Sequence, residues 1–295
     1  MSMSARPCIE RALADALANI DAPGHPPRLA AAVRHAVFPG GARIRPQLCL
    51  AVARACDTDD LDLALGAAAA VELLHCASLV HDDLPCFDAA LTRRGQPSVQ
   101  CAFGERLAVL AGDALIVLAF ETLAKSACRA PHRLPPLVAT LAAGVGLPCG
   151  IAAGQAWECE PDVALERYHR AKTGALFIAS AKAGAQAAGT DASAWERLGA
   201  RLGDAYQAAD DIRDAAGTLQ WLGKPVGRDN ALDRPSLVRD RGLAAATRHF
   251  ERLMDEAEHA VPKCAGSASL RALVRAESHR LIPRQLAEEL VASTT

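Results

Sequence analysis

Two acidic clusters carry most of the chemistry this chain has to offer. They are Asp82-Asp83-Leu84-Pro85-Cys86-Phe87-Asp88 and Asp210-Asp211-Ile212-Arg213-Asp214. Each places three carboxylates within a turn or two of chain. Carboxylate oxygens suit Mg²⁺, which keeps several waters and completes its octahedron with substrate phosphate oxygens. Two such clusters, about 130 residues apart, can hold Mg²⁺ ions with a diphosphate between them. That arrangement serves chemistry in which inorganic diphosphate is the leaving group.

The spacing sets the expected geometry. Asp210 and Asp214 lie about 40° apart around a helix, with Asp211 within one turn of Asp214, so all three are expected to face one metal cluster. The first cluster is stretched, because Asp88 lies six residues beyond Asp82. Pro85 lacks an N–H and clashes with the preceding turn. The helix should therefore end or bulge between Asp83 and Asp88 and bring Asp88 back toward the site. Either triplet alone reads more simply as a solvated helix face. Together, and with bases nearby, they read as a site.

The bases come in four places: Arg43 and Arg45 beside Gly40-Gly41, then Arg93-Arg94-Gly95, Lys172-Thr173-Gly174 and Gly223-Lys224-Pro225. Guanidinium groups grip phosphate bidentately, and lysine adds a mobile point charge.

The elements that must position these groups are helical almost throughout. Alanine and leucine dominate, aromatics make up 4%, and no period-2 run marks a strand. Helices are expected over 7–20, 28–37, 45–57, 61–84, 105–127, 135–146, 162–188, 192–216, 235–261 and 267–292. Asp60 and Asp191 are suitable N-caps. Residues 63–80 have almost no polar face, which assigns that helix to the centre of a bundle. The fold class is all-α: one large helical bundle, residues 1–295, around a central apolar cavity capped by carboxylates. Such a cavity suits a long hydrocarbon chain bearing a phosphate head.

Bulk properties exclude other classes. A net charge of −2 with 22% charged residues gives no footprint for nucleic acid. No secretory signal is visible, and the ten cysteines form no Cys-x-x-Cys pair, so a reduced cytoplasmic protein is expected. The apolar stretches 63–80 and 107–124 approach spanning length. Glu72, His75, Asp113 and Glu121 interrupt them, so both are expected to be buried bundle helices and not membrane spans. His81 is expected to hydrogen-bond near the metal site without ligating, and Asp113 to be an interior, hydrogen-bonded carboxylate.

In order along the chain stand Gly-Gly-x-Arg-x-Arg-Pro, His75, Asp-Asp-x4-Asp, Arg-Arg-Gly, Lys-Thr-Gly, Tyr206-Gln207-x-x-Asp-Asp-x-x-Asp and Gly-Lys-Pro. This succession, from about residue 30 to 240, resembles the trans-polyprenyl diphosphate synthase family. The stretch His75-Cys76-Ala77-Ser78-Leu79-Val80-His81-Asp82-Asp83-Leu84-Pro85-Cys86 most resembles bacterial geranylgeranyl diphosphate synthases of carotenoid pathways. The resemblance implies an all-α homodimer and three Mg²⁺ ions per site. It implies an allylic diphosphate and isopentenyl diphosphate as substrates. Asp82, Asp83, Asp88, Asp210, Asp211 and Asp214 match the metal motifs. Arg93, Lys172, Thr173, Gln207 and Lys224 match the allylic site, and Arg45, His75 and Arg94 the isopentenyl site. Where the family usually has Lys this chain has Ala42, which should weaken isopentenyl diphosphate binding unless Arg43 or another base swings in. Ala77 and Ser78, small residues roughly 7 Å down the helix from the metal motif, imply room for a twenty-carbon product. A farnesyl product, a terpene cyclase or head-to-head synthase, and a non-catalytic partner subunit remain as alternatives.

Overall fold

Ile9, Leu13 and Leu17, four residues apart, are all closed to solvent, so the single apolar stripe of the first helix docks as its spacing requires. In this computed structural model the described residues are 5–38, 40–162, 164–215 and 237–282. The described helices are α1 (Ala5–Ala16), α2 (Pro27–Val37), α3 (Ile44–Ala55), α4 (Leu61–Asp82), α5 (Val99–Phe103), α6 (Glu105–Ser126), α7 (Leu134–Val145), α8 (Ile151–Ala156), α9 (Leu165–His169), α10 (Ala175–Ala187), α11 (Glu196–Ala215), α12 (Leu237–Arg241), α13 (Leu243–His259) and α14 (Ser267–Leu281). Short 3₁₀ turns link several of them.

Helix α4 is the axis of the bundle. Asp60 caps it by accepting from the Leu63 N–H at 3.1 Å, a contact worth about 0.5–2 kcal/mol. From Leu63 to Val80 nearly every side chain is buried, against α6 on one flank and α3 and α10 on others. Its apolar surroundings form two cores that share α3 and α10. One gathers α1, α2, α4 and α6. The other gathers α3, α10, α11, α13 and α14, and contains the stripe Trp195, Leu198, Leu202, Ala205 and Ala209.

The structure departs from the expected elements in three places that matter for the site. The stretch 162–188 is not one helix: α9 runs into a π-helical turn, Arg170–Gly174, before α10 begins. Two glycines permit the close packing around this turn. A Cβ on Gly154 would sit 2.4 Å from the Lys172 backbone, and one on Gly203 would sit 2.7 Å from Gly174 Cα. The stretch 235–261 breaks into α12 and α13 at Gly242, whose φ of 76° is left-handed. A two-stranded hairpin, β1 (Thr92–Arg93) with β2 (Gln96–Pro97), also appears. Its two turn residues, Arg94 and Gly95, both have positive φ, 54° and 77°, as a type I′ turn requires. Residues too few to show a period of two gave no strand signal.

Helix α6 corrects a further expectation. It is long and apolar enough to span a membrane by composition, as α4 is, but only 33% of its apolar window is buried. Val109, Leu110 and Val117 lie open on its outer face. Asp113 stands on that face too, with 61% of its side chain exposed, and is not an interior carboxylate.

Candidate active site

Helix α4 stops at Asp82 because Pro85 cannot continue it. The chain then curls back: the Asp88 N–H donates to the Asp82 carbonyl at 2.9 Å, and the Ala90 N–H to the Asp83 carbonyl at 3.1 Å. The curl returns Asp88 to the side of Asp82, as the stretched spacing predicts. Across from them α11 presents Asp210. These three carboxylates line a cavity of about 650 Å³ whose wall also includes Arg45, His75, Ser78, Arg93, Arg94, Lys172, Thr173 and Gln207.

The other three predicted ligands do not line that cavity. Asp83 is closed to solvent and receives a bidentate grip from Arg93, with Nε 3.0 Å from Oδ1 and 3.2 Å from Oδ2. Asp211, about 100° around the helix from Asp210, turns into the bundle. There it accepts from Gln207 Nε2 at 2.9 Å and from the Leu237 N–H at 2.8 Å. Asp214 is buried one turn farther along α11. Each acidic motif thus splits its labour: Asp82, Asp88 and Asp210 face the cavity, while Asp83 and Asp211 anchor the side chains that border it.

Asp82 bears on whether Mg²⁺ fits here. Its Oδ1 is buried with no hydrogen-bond partner; Lys172 Nζ lies 3.3 Å away, in ion-pair range but outside hydrogen-bonding geometry. Burial holds the Asp82 carboxyl above its ordinary pKa, against the pull of Lys172. Burial raises Asp83 likewise, against Arg93. A buried carboxylate oxygen lacking a hydrogen bond is a place for a cation. Among the described residues no three acidic, histidine or cysteine side chains enclose a metal by themselves. A metal here would draw on carboxylates from both helices and on substrate oxygens, which fits Mg²⁺.

Much of the remaining lining is basic. Arg45 rises from α3 with its guanidinium 4.4 Å from the Phe177 ring and 5.6 Å from Tyr206. Its Nη1 is 3.4 Å from His75 Nε2, and its Nε has no partner. Burial lowers the Arg45 pKa. Burial, then the charges of Arg45 and Arg94, push His75 well below its usual value, so it is neutral. Arg94 lies over Gly41, where a Cβ would stand 2.8 Å from its Nε. Among the described residues Arg94 has Glu72 3.7 Å away, while Arg45 has no carboxylate within ion-pair range; a guanidinium so placed suits a diphosphate.

Arg43 is not part of that basic reserve. It donates from Nη1 to Glu72 at 2.6 Å, from Nε to Glu10 at 3.0 Å and from Nη2 to the Val37 carbonyl at 2.7 Å. Burial works against its charge, but Glu10 and Glu72 outweigh it and raise its pKa. The side chain is fully enclosed, so it cannot swing in to replace the ammonium missing at Ala42.

Lys172 and Thr173 sit on the π turn. Thr173 Oγ1 donates to Gln207 Oε1 at 2.8 Å, which fixes that amide for its contact with Asp211. Lys224 lies outside the described residues. Ser78 is on the cavity wall and donates to the His75 carbonyl at 2.8 Å. Ala77 points elsewhere, packed into the core at 1% exposure. His81 turns toward α6, its Nε2 3.6 Å from Asp113.

A family model described as polyprenyl synthetase matches residues 26–268. A geranylgeranyl diphosphate synthase of Cereibacter sphaeroides is 50% identical over 279 residues, covering 95% of this chain and 97% of that protein. One from Rhodobacter capsulatus is 47% identical over 282 residues, covering 96% and 97%. The crystal structure of an FPP/GFPP synthase from Zymomonas mobilis superposes with a TM-score of 0.78 at 30% identity, covering 92% of this chain and 98% of that one. The chain belongs to the polyprenyl synthetase family. It is a trans-prenyltransferase with the all-α fold of that family.

Several residues of this polyprenyl synthetase site escaped the motif reading. Gln155 and Tyr168 line the cavity, as do Arg213 beside Asp210 and Arg280 and Leu281 from α14. Glu158 and Glu72 hold bases that border it. Glu72 did carry a signal: a lone carboxylate inside an otherwise apolar helix demands a buried base. Gln155, Glu158 and Tyr168 carried none, since nothing in their spacing shows that α8 meets α9.

Proposed function

We infer that this enzyme condenses isopentenyl diphosphate with an allylic diphosphate and that its product is geranylgeranyl diphosphate. The observation that carries the reading is one cavity lined by two sets of groups: the carboxylates Asp82, Asp88 and Asp210, and the bases Arg45, His75 and Arg94. An enzyme that ionises a single diphosphate, such as a cyclase, needs only the first. Two relatives bearing the geranylgeranyl diphosphate synthase name at 47–50% identity support the product.

In this reading Asp82, Asp88 and Asp210 hold Mg²⁺, which when bound neutralises the leaving diphosphate. Arg93, Lys172 and Lys224 extend the grip on that group; Thr173 takes part by turning its hydroxyl away from Gln207, to which it donates in this structure. The allylic C–O bond breaks, and inorganic diphosphate leaves with its electron pair. The isopentenyl double bond, positioned by Arg45, His75 and Arg94 on its own diphosphate, attacks C1 of the cation. The proton then lost passes to the released diphosphate, because neutral His75 is occupied by Arg45 and no other side-chain base stands out among the described residues.

The reading includes a single catalytic domain spanning the chain, acting in the cytoplasm as a homodimer. The open apolar face of α6, with Val138 on α7 and Leu147 beyond it, is the surface a second copy would cover. Incubation with geranyl diphosphate and Mg²⁺, with and without isopentenyl diphosphate, tests the activity. Prenyl diphosphates of fifteen and twenty carbons only when both are present are expected. Hydrocarbon or alcohol from geranyl diphosphate alone would favour the cyclase.

A further inference from the structure

Lys172 does not stand alone above the acidic wall. Its Nζ is 2.5 Å from Glu158 Oε1, an oxygen that also accepts from the Tyr168 hydroxyl at 2.5 Å. The other carboxylate oxygen, Oε2, accepts from Gln155 Nε2 at 3.1 Å. Glu158 sits on the 3₁₀ turn Trp157–Cys159 directly after α8, Tyr168 on α9 and Lys172 on the π turn. Three consecutive elements therefore meet on one carboxylate. The ammonium is also flanked by Asp82 Oδ1 at 3.3 Å and lies 5.7 Å from the centre of the Tyr168 ring.

We propose that Glu158 is a positioning residue that holds the Lys172 ammonium off Asp82 and aims it at the allylic diphosphate. The inference rests on the prenyltransferase reading above. Lys172 lies between two carboxylates at unequal distance, and the shorter, hydrogen-bonded contact is to Glu158. That leaves Asp82 Oδ1 without a hydrogen bond and its lone pair open to a metal ion. Removal of the Glu158 charge leaves Asp82 as the one carboxylate in contact with the ammonium among those described. Lys172 then closes onto it and occupies the oxygen that Mg²⁺ needs. Tyr168 and Gln155 hold Glu158 itself in place, so this support reaches the metal site through one lysine. Such indirect supports typically change metal affinity or activity about 10- to 100-fold.

The full-length Glu158→Gln variant tests this, with three readouts. They are the Mg²⁺ concentration for half-maximal turnover, the KM values for geranyl and isopentenyl diphosphate, and calorimetric binding of Mg²⁺ with an unreactive thiolo analogue of geranyl diphosphate. The expected result is a rise of about 10- to 100-fold in the Mg²⁺ requirement, matching weaker analogue binding and an unchanged KM for isopentenyl diphosphate. Glu158→Asp, which restores the charge, should recover most of the loss. A Gln variant that matches wild type in Mg²⁺ requirement and analogue binding overturns the proposal. So do Gln and Asp variants equally impaired toward both substrates. If Glu158→Gln does not fold, Tyr168→Phe is read the same way: weaker analogue binding supports the proposal and unchanged binding overturns it. A wild-type protein inert with both substrates would sink the prenyltransferase reading, while the calorimetry would still decide the role of Glu158.

Discussion

Arg43 Nη1 donates to Glu72 Oε1 across 2.6 Å, with both side chains closed to water. The pair welds the start of α3 to the middle of α4, the two helices that carry Arg45 and His75. Removing one member of a buried pair leaves the other uncompensated, at about 3–5 kcal/mol. Arg43→Ala should therefore lower the unfolding free energy by that amount in urea titrations. The variant that remains folded should keep its KM for geranyl diphosphate, because Arg43 is not a substrate ligand in this reading.

Since Arg43 is committed to Glu72 and Glu10, the place of Ala42 stays open. Ala42 is exposed on the cavity wall beside Arg45. Ala42→Lys should lower the KM for isopentenyl diphosphate and leave that for the allylic substrate nearly unchanged. A well-placed charge-assisted contact is worth about 1.5–3 kcal/mol, or about 10- to 100-fold. A larger effect on the allylic KM would show that the two sets of bases have been assigned the wrong way round.

Turnover should fall on the order of 10²–10³-fold, the scale of losing one preorganised charge-stabilising contact, in Asp82→Ala and in Asp210→Ala. Chelation of Mg²⁺ from the wild-type enzyme should abolish it. Melting temperatures near that of the wild type would confirm that the loss is chemical. Asp83→Asn should differ, because its grip on Arg93 is structural as well; both stability and allylic KM should suffer.

Product length should respond to Ser78 more than to Ala77. Ser78→Phe projects into the cavity and should shift the main product from twenty carbons to fifteen, read by chromatography. Ala77→Phe instead overfills a packed core, at about 1–3 kcal/mol, and should show first as lost stability.

Two histidines set a pH slope. Burial, helped by Lys172, lowers His169 from 6.5 to about 4, and His75 also lies well below its usual value. The folded chain keeps both neutral where the unfolded chain binds protons. Stability is thus fully present above pH 6.5 and is lost as pH falls toward about 4. Urea midpoints taken across that range should fall, and His169→Gln should flatten part of the slope. An unchanged slope in that variant would show that His169 is not the group responsible.

The central helix, its cap at Asp60 and its end near Asp82 were all legible, because apolar continuity and Pro85 are local facts. So was the return of Asp88. The commitment of Asp83 to Arg93 and of Asp211 to Gln207 was not. Spacing tells which face a residue shares, but not which partner waits on that face. Asp113 misled for a related reason: an acidic residue in an apolar helix suggests burial with a partner, yet α6 leaves that face open. The π turn under Lys172 depends on Gly154 and Gly203, whose significance appears only once three helices touch.

The hairpin turn at Arg94-Gly95 separates two neighbouring guanidiniums. Arg93 reaches to Asp83, while Arg94 lies over Gly41 with its Nη2 3.7 Å from Glu72. One short loop thus places both arginines on the lining of the same cavity. Any insertion, or any change that alters the handedness of that turn, moves both arginines together. In the proposed reading, where Arg93 serves the allylic substrate and Arg94 isopentenyl diphosphate, the two affinities are therefore not independent variables for evolution or for an engineer working on this loop. Tuning them apart calls for positions away from that turn, such as Ala42 in the loop before α3 or Ser78 on α4.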